Sequence, residues 1–190
     1  LLCEVLVVSI YLLSIYLMLI EKKAKIFVYY FVLMVLVPSV QHCQTNPLLI
    51  AFILFSFLCL EREQFFKSAF FPSLGFFIKG YGAICGVFFL LKKPKVKTFL
   101  YMTLWFILLL LLPILWYSPK SFIVLYEQWK TSLLQDYSAN QGTSIMGFIN
   151  SVTNWNVPFL PVQLAGIVML LCTICYLTVT KKYENYKYEV

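Results

Sequence analysis

The stretch Pro72-Ser-Leu-Gly-Phe-Phe-Ile-Lys-Gly-Tyr-Gly-Ala-Ile-Cys-Gly-Val-Phe-Phe-Leu-Leu91 decides how this chain folds. Lys79 is its one charge, and the only basic residue of the chain embedded in a long apolar segment. A charge at the bilayer centre costs about 2.5–3.5 kcal/mol even on insertion scales, so such a residue usually lines a polar cavity and serves a function. Glycines 75, 80, 82 and 86 surround it. That composition predicts a helix broken at the lysine, an arrangement tolerated only where the backbone is buried in protein or lines a cavity. An ammonium held there suits an anion such as a phosphate.

Composition fixes the class. The chain has 190 residues, 62% hydrophobic and 12% charged. A soluble domain of this length has no core large enough for that much apolar surface. The expected fold is all-α: a polytopic transmembrane helical bundle forming one domain over 1–190. The formal charge is +7, with the basic residues in short clusters between apolar runs. This is the pattern of loops facing anionic lipid, so the lipid bilayer is the expected partner and nucleic acid is not.

The chain opens Leu1-Leu-Cys3, with neither a basic region before the first apolar run nor a small-residue cleavage site after it. It is expected to be a fragment of a longer protein rather than to start with a signal peptide. Of six cysteines, only Cys43 falls outside the apolar runs. Cys172-Thr-Ile-Cys175 has redox-motif spacing but sits inside an apolar run with no second pair and no histidine nearby, so packed or lipid-facing thiols are expected.

Five apolar segments approach the roughly 20 residues needed to cross a bilayer. They are 1–20, 26–40, 47–60, 97–117 and 159–180, with 64–91 between the third and fourth. If 64–91 crosses once, the other fourteen basic residues divide seven and seven between the two sides. If it returns to the side it entered, twelve share one face and only Lys120 and Lys130 lie opposite. Basic residues concentrate on the cytoplasmic side, which favours the second arrangement. Residues 64–78 and 81–91 are therefore expected to form a helical hairpin from the cytoplasmic side, broken at Lys79-Gly80, with Lys79 at its deep tip.

The outside face then carries Gln41-His-Cys-Gln-Thr-Asn-Pro47 and a long loop, 118–157. Within that loop, Phe122, Leu125, Tyr126, Trp129 and Leu133 recur at the spacing of one helical face, predicting an amphipathic helix at headgroup level. His42, Gln44, Asn46, Lys79, Asn140, Gln141 and Ser144 share this topological side. Amides and hydroxyls read sugar hydroxyls, and lysine binds phosphate as a point charge. Each has a plainer role as well. His42 suits an ordinary loop position. Gln44 and Asn46 suit the cap of a helix starting at Pro47. Asn140 to Ser144 suit a flexible turn, and Lys79 could snorkel. The sequence contains no carboxylate pair, metal-ligand cluster, nucleophile elbow or phosphate-binding glycine loop, and no cofactor is expected. Glu127 and Asp136, the outside acids, have no partner at catalytic spacing. Glu4 lies too near the start to interpret.

The order of these features resembles the central and C-terminal part of glycosyltransferase family 87, over about residues 26–150. Gln44-Thr-Asn46 opens an apolar helix ending in Glu61-Arg62. Ile78-Lys-Gly-Tyr81 follows, then Lys92-Lys-Pro-Lys95, Trp129 and Asn140-Gln-Gly-Thr-Ser144. The family's GQxN element is matched by Gln44 and Asn46, with Cys43 in place of the glycine. Its iKpyP-like element is matched by Lys79 and Tyr81, with Gly80 and Gly82 in place of the prolines. Its NxS-like element is matched only loosely by Asn140 and Ser144.

The resemblance implies the GT-C fold and inverting transfer of a sugar, mannose or a similar hexose. The donor would be a polyprenyl phosphate, and the acceptor a lipid-linked compound or a glycan, on the outer side of the cytoplasmic membrane. It also implies a catalytic aspartate in an early outside loop, which no residue here matches. On this reading Lys79, Gln44, Asn46, His42, Tyr81, Asn140, Gln141 and Ser144 are substrate-binding. A transporter or flippase also uses broken helices with a midplane charge, but inverted repeats usually accompany them and no second segment matches 72–91. A non-catalytic membrane scaffold would instead pair Lys79 with an acid on a neighbouring helix.

Overall fold

The computed structural model describes residues 2–18, 20–92, 94–139, 149, 151–153 and 159–180, and every regular element among them is helical. The chain forms two compact units, Leu1–Leu110 and Leu111–Lys182. The first contains α1 (Leu2–Tyr16), α2 (Lys22–Gln41), α3 (Asn46–Glu61), α4 (Phe65–Ile78), a 3-10 helix (Gly80–Leu90) and nearly all of α5 (Lys95–Leu111).

Helices α2 and α3 stop in the same way. After α2, the Cys43 amide donates to the Val40 carbonyl and the Gln44 amide to Ser39, at 3.1 and 2.8 Å. After α3, Glu63 donates to Leu60 and Gln64 to Cys59, again at 3.1 and 2.8 Å. This paired pattern is the Schellman termination, whose penultimate residue is left-handed and usually glycine. Here it is Cys43 at φ 50° and Glu63 at φ 60°.

Beyond the second stop, α4 returns along α3. Serines on the two helices exchange hydrogen bonds in a fully buried contact. Ser68 Oγ donates to the Ser56 carbonyl at 2.7 Å, and Ser56 Oγ to the Ser68 carbonyl at 3.0 Å. Pro72 explains the second bond. Proline has no N–H, so inside α4 it leaves the carbonyl four residues earlier, that of Ser68, without its helical donor. Serine side chains on a neighbouring helix repair such gaps in apolar surroundings. Phe52 and Phe55 of α3 add ring contacts to Phe71 of α4.

The chain reverses again at Lys79, which is extended (φ −145°, ψ 128°) between α4 and the 3-10 helix. The two arms meet backbone to backbone. A Cβ on Gly75 would lie 3.1 Å from the Gly82 carbonyl oxygen, and a Cβ on Gly82 would overlap the Gly75 carbonyl. Further from the turn, Phe89 packs with Ala69 of α4 and Leu60 of α3, all fully buried. Helix α5 closes this layer. Trp105 packs against Phe66 and edge-on to Phe70, Phe106 stacks on Phe77 and meets Phe76 edge-on, and the Ser73 hydroxyl donates to the Met102 carbonyl at 3.0 Å.

In the second unit, a short 3-10 turn (Leu112–Leu115) precedes α6 (Pro119–Ala139) and α7 (Phe159–Val179). The face of α6 picked out by the sequence spacing, Phe122, Leu125, Tyr126, Trp129 and Leu133, is half-buried while its neighbours are exposed. Cys172 and Cys175 on α7 are exposed free thiols.

Among the described residues, two helices are long and apolar enough to cross a membrane, Lys95–Leu115 and Pro161–Val179. Helices α3 and α4 are shorter, at about 24 and 21 Å from a rise of 1.5 Å per residue.

Two sets of variants of the full-length protein in detergent test this packing. Ser56→Ala should lower stability by about 1–3 kcal/mol, because it strands the Ser68 carbonyl. Adding Pro72→Ala should recover part of that loss by restoring the helical donor, read as a double-mutant cycle of thermal midpoints. Gly82→Ala should lower the midpoint. Gly166→Ala, which meets nothing within 4 Å, should raise stability by about 0.5–1 kcal/mol.

Candidate functional site

The reversal at Lys79 and the start of α3 meet at one end of the first unit. Lys79 Nζ donates to Asn46 Oδ1 at 3.3 Å, and the Tyr81 hydroxyl donates to the same oxygen at 3.1 Å. Asn46 Nδ2 donates to Gln44 Oε1 at 2.8 Å. The lysine ammonium also stands over the Tyr81 ring, 5.9 Å from its centroid. An ammonium can only donate, so the Asn46 atom facing Lys79 must be the oxygen. That choice turns the amide nitrogen toward Gln44. One asparagine therefore orients all three neighbours.

Each member reaches this point for a local reason. Lys79 is carried by the break between α4 and the 3-10 helix, and Tyr81 by the first turn of that helix. Gln44 and Asn46 follow the left-handed Cys43. The capping alternative for Asn46 is not realised. Thr45 is the residue before α3 and makes no side-chain cap bond, while Asn46 is the first helical residue and turns its side chain to Lys79 and Tyr81. The tertiary contact has outcompeted the local one.

The departures from the family pattern acquire physical reasons here. A glycine before Gln44 would relieve the positive φ that Cys43 adopts. At position 82 a proline would overlap the Gly75 backbone and remove the amide that donates to the Lys79 carbonyl at 2.6 Å. Gly75 and Gly82 are the glycines that the close turn requires.

The remaining expected site residues fare differently. His42 caps the end of α2, is exposed, and takes no part in the side-chain network around Asn46. Asn140, Gln141 and Ser144 lie outside the described residues.

One group was not anticipated. Glu4, in the first turn of α1, accepts a hydrogen bond from the Cys43 thiol, 2.7 Å from Oε1 to Sγ. That hydrogen bond, reinforced by the carboxylate's charge, pushes the Cys43 thiol above its ordinary pKa. Glu4 thus ties α1 to the turn that presents Gln44 and Asn46. The signal in the sequence was slight: a cysteine where a glycine was expected, and an acid in an apolar helix thirty-nine residues earlier.

Chemically, the cluster is a donor surface. Lys79 and the Gln44 amide offer N–H groups around one fixed asparagine oxygen, and the Tyr81 hydroxyl, whose single proton goes to that oxygen, keeps its lone pairs to accept. Lys79 and Asn46 are half-buried and Tyr81 and Gln44 exposed, so the group is open to a ligand. Such a surface fits an anion bearing hydroxyl groups.

Against this geometry stands one comparison with known proteins. The model of the family described as Glycosyltransferase family 87 matches residues 1–186. The match extends beyond the 26–150 stretch that the motifs mark, to α1 and α7. No curated protein and no solved structure matches the chain.

The Glu4–Cys43 contact makes a prediction about reactivity. Only the thiolate is nucleophilic, and Glu4 disfavours it. Glu4→Gln should speed maleimide labelling of exposed Cys43 at mildly alkaline pH, relative to the parent protein. By linkage, the raised thiol pKa adds stability that is present below the ordinary thiol range and is lost as pH rises through the folded value. Glu4→Gln should flatten that alkaline loss.

Proposed function

Because the chain belongs to glycosyltransferase family 87, we propose that the Lys79–Asn46–Gln44–Tyr81 cluster holds the phosphate end of a polyprenyl-phosphate sugar donor. The sugar is mannose or a similar hexose. It passes to a lipid-linked or glycan acceptor on the outer side of the cytoplasmic membrane. The family makes the protein a membrane glycosyltransferase, and the apolar helices agree with a membrane setting.

The observation that carries the reading is the shared Asn46 oxygen. It fixes a cation and a phenol side by side at a helix break. In the transfer, the bond from the sugar's anomeric carbon to the phosphate oxygen breaks and a bond to the acceptor oxygen forms. The electron pair leaves with the phosphate. A fixed ammonium beside that oxygen stabilises charge as it develops, which lowers the barrier rather than merely tightening binding. The Gln44 amide completes the phosphate's hydrogen bonds, and the Tyr81 oxygen, whose proton goes to Asn46, accepts from a sugar hydroxyl. The acceptor's proton goes to a base outside this cluster. The family resemblance implies an aspartate for that role, and no residue here matches it.

In the full-length protein, Lys79→Ala should lower donor turnover by about 100-fold, the scale of losing one preorganised charge-stabilising donor. Lys79→Arg should retain part of the activity. Turnover unchanged in Lys79→Ala would sink the assignment. A single cysteine placed at position 79 of a cysteine-free protein should react with an impermeant thiol reagent added from outside, and polyprenyl phosphate should block it. Labelling only from the cytoplasmic side contradicts the outward donor cavity.

A further inference from the structure

The first unit is chemically two-ended, and the end opposite the Lys79 cluster has its own assignment. Directions follow from contacts at the extremities. Helix α3 starts beside Lys79 and Tyr81, and it ends at Glu61, where Lys92 Nζ donates to the Glu61 carbonyl at 3.0 Å. The arm from Tyr81 to Lys92 therefore runs alongside α3. Helix α1 carries Glu4 in its first turn beside Cys43 and ends at Tyr16, whose carbonyl accepts a bond from Lys25 at 2.8 Å. The starts of α2, α4 and α5 consequently gather at one end.

Eight described basic residues lie there, against Glu21, Glu61 and Glu63. Two of the eight are used internally. Lys25 and Lys92 cap the carbonyl ends of α1 and α3, where a cation is favoured by the helix dipole, and Lys92 lies 4.0 Å from the Glu61 carboxylate. Arg62, Lys67, Lys95 and Lys97 are exposed. Lys97 stands over the Tyr101 ring. Arg62, Lys67 and Lys95 make no ion pair or side-chain hydrogen bond among the described residues. They project from three different elements that Trp105, Phe89 and the serine pair hold together, so the positions that carry the cations stay at one end. Like charges gathered at one end repel, and an anionic partner relieves that repulsion.

We propose that this end binds the anionic headgroups of phospholipids, and that Arg62, Lys67, Lys95 and Lys97 form the recognition surface. The partner is chosen by setting. Apolar helices emerge directly from the cationic end, so the cations stand where headgroup phosphates would stand when those helices are in a bilayer. Basic residues next to a membrane are drawn to anionic lipid. The inference shares with the proposed function only the membrane setting and does not depend on sugar transfer.

The test uses the full-length protein in phosphatidylcholine bilayers containing a minority of phosphatidylglycerol. Spin-labelled versions of each lipid report the fraction held at the protein surface. The expected result is a larger held fraction for phosphatidylglycerol. The difference should disappear as salt is raised to about 1 M, where charges are screened within about 3 Å. Combined Arg62→Gln, Lys67→Gln, Lys95→Gln and Lys97→Gln should remove most of the preference. Equal held fractions in the parent protein overturn the proposal, as does a preference that survives in the four-site variant. If that variant does not fold, the salt titration decides alone, and a salt-insensitive preference overturns it. Lys79→Ala serves as the separating control: it should leave lipid preference intact whatever happens to sugar transfer.

Discussion

The contact between the Gly75 and Gly82 backbones is the constraint on which the first unit rests. Without side chains at these positions, α4 and the 3-10 helix approach until main chain touches main chain. Only then does the turn close tightly enough to leave Lys79 extended at its apex. The same closeness lets Phe89 reach Ala69 and Leu60. A bulkier pair would splay the arms and move the lysine and Tyr81 away from Asn46. The Lys79 cluster thus depends on two residues that take no part in it.

Helix α3 is the strut of this arrangement. Its first residue orients Lys79 and Tyr81, its middle repairs the proline gap in α4 through Ser56, and its last carbonyl receives Lys92. Apolar packing between helices gives little direction in a lipid setting, where the tails are as apolar as leucine. Small residues and hydrogen bonds therefore set the register. Here the glycines set distance, the serines set register along α3 and α4, and the polar ends fix which terminus faces which chemistry.

Much of this was legible in the sequence, for reasons that differ by residue. A lysine amid apolar residues and glycines announces a break because few other environments tolerate it. The order of Gln44, Asn46, Lys79 and Tyr81 carried the family likeness, now supported by the match over residues 1–186. What could not be read was tertiary. Asn46 looked like a helix cap because local bonding is all that a linear reading weighs, and the structure spends its side chain elsewhere. Ser56 and Pro72 sit sixteen positions apart, and only the register of α3 against α4 makes one the remedy for the other. The left-handed turn at Cys43 was visible only as an exchange for glycine. The bond to Glu4 was not visible at all.

The 3-10 winding after Lys79 acts as a ruler. Eleven residues at about 2 Å of rise each cover about 22 Å, close to the roughly 24 Å of α3 beside them. Wound as an α-helix, the same residues would fall about 5 Å short. The arm could then bond Asn46 through Tyr81, or reach Glu61 through Lys92, but not both. The more tightly wound, more elongated helix is what allows one segment of chain to grip α3 at its two extremities. It makes the spacing between the Lys79 cluster and the basic end a property of how that segment is coiled.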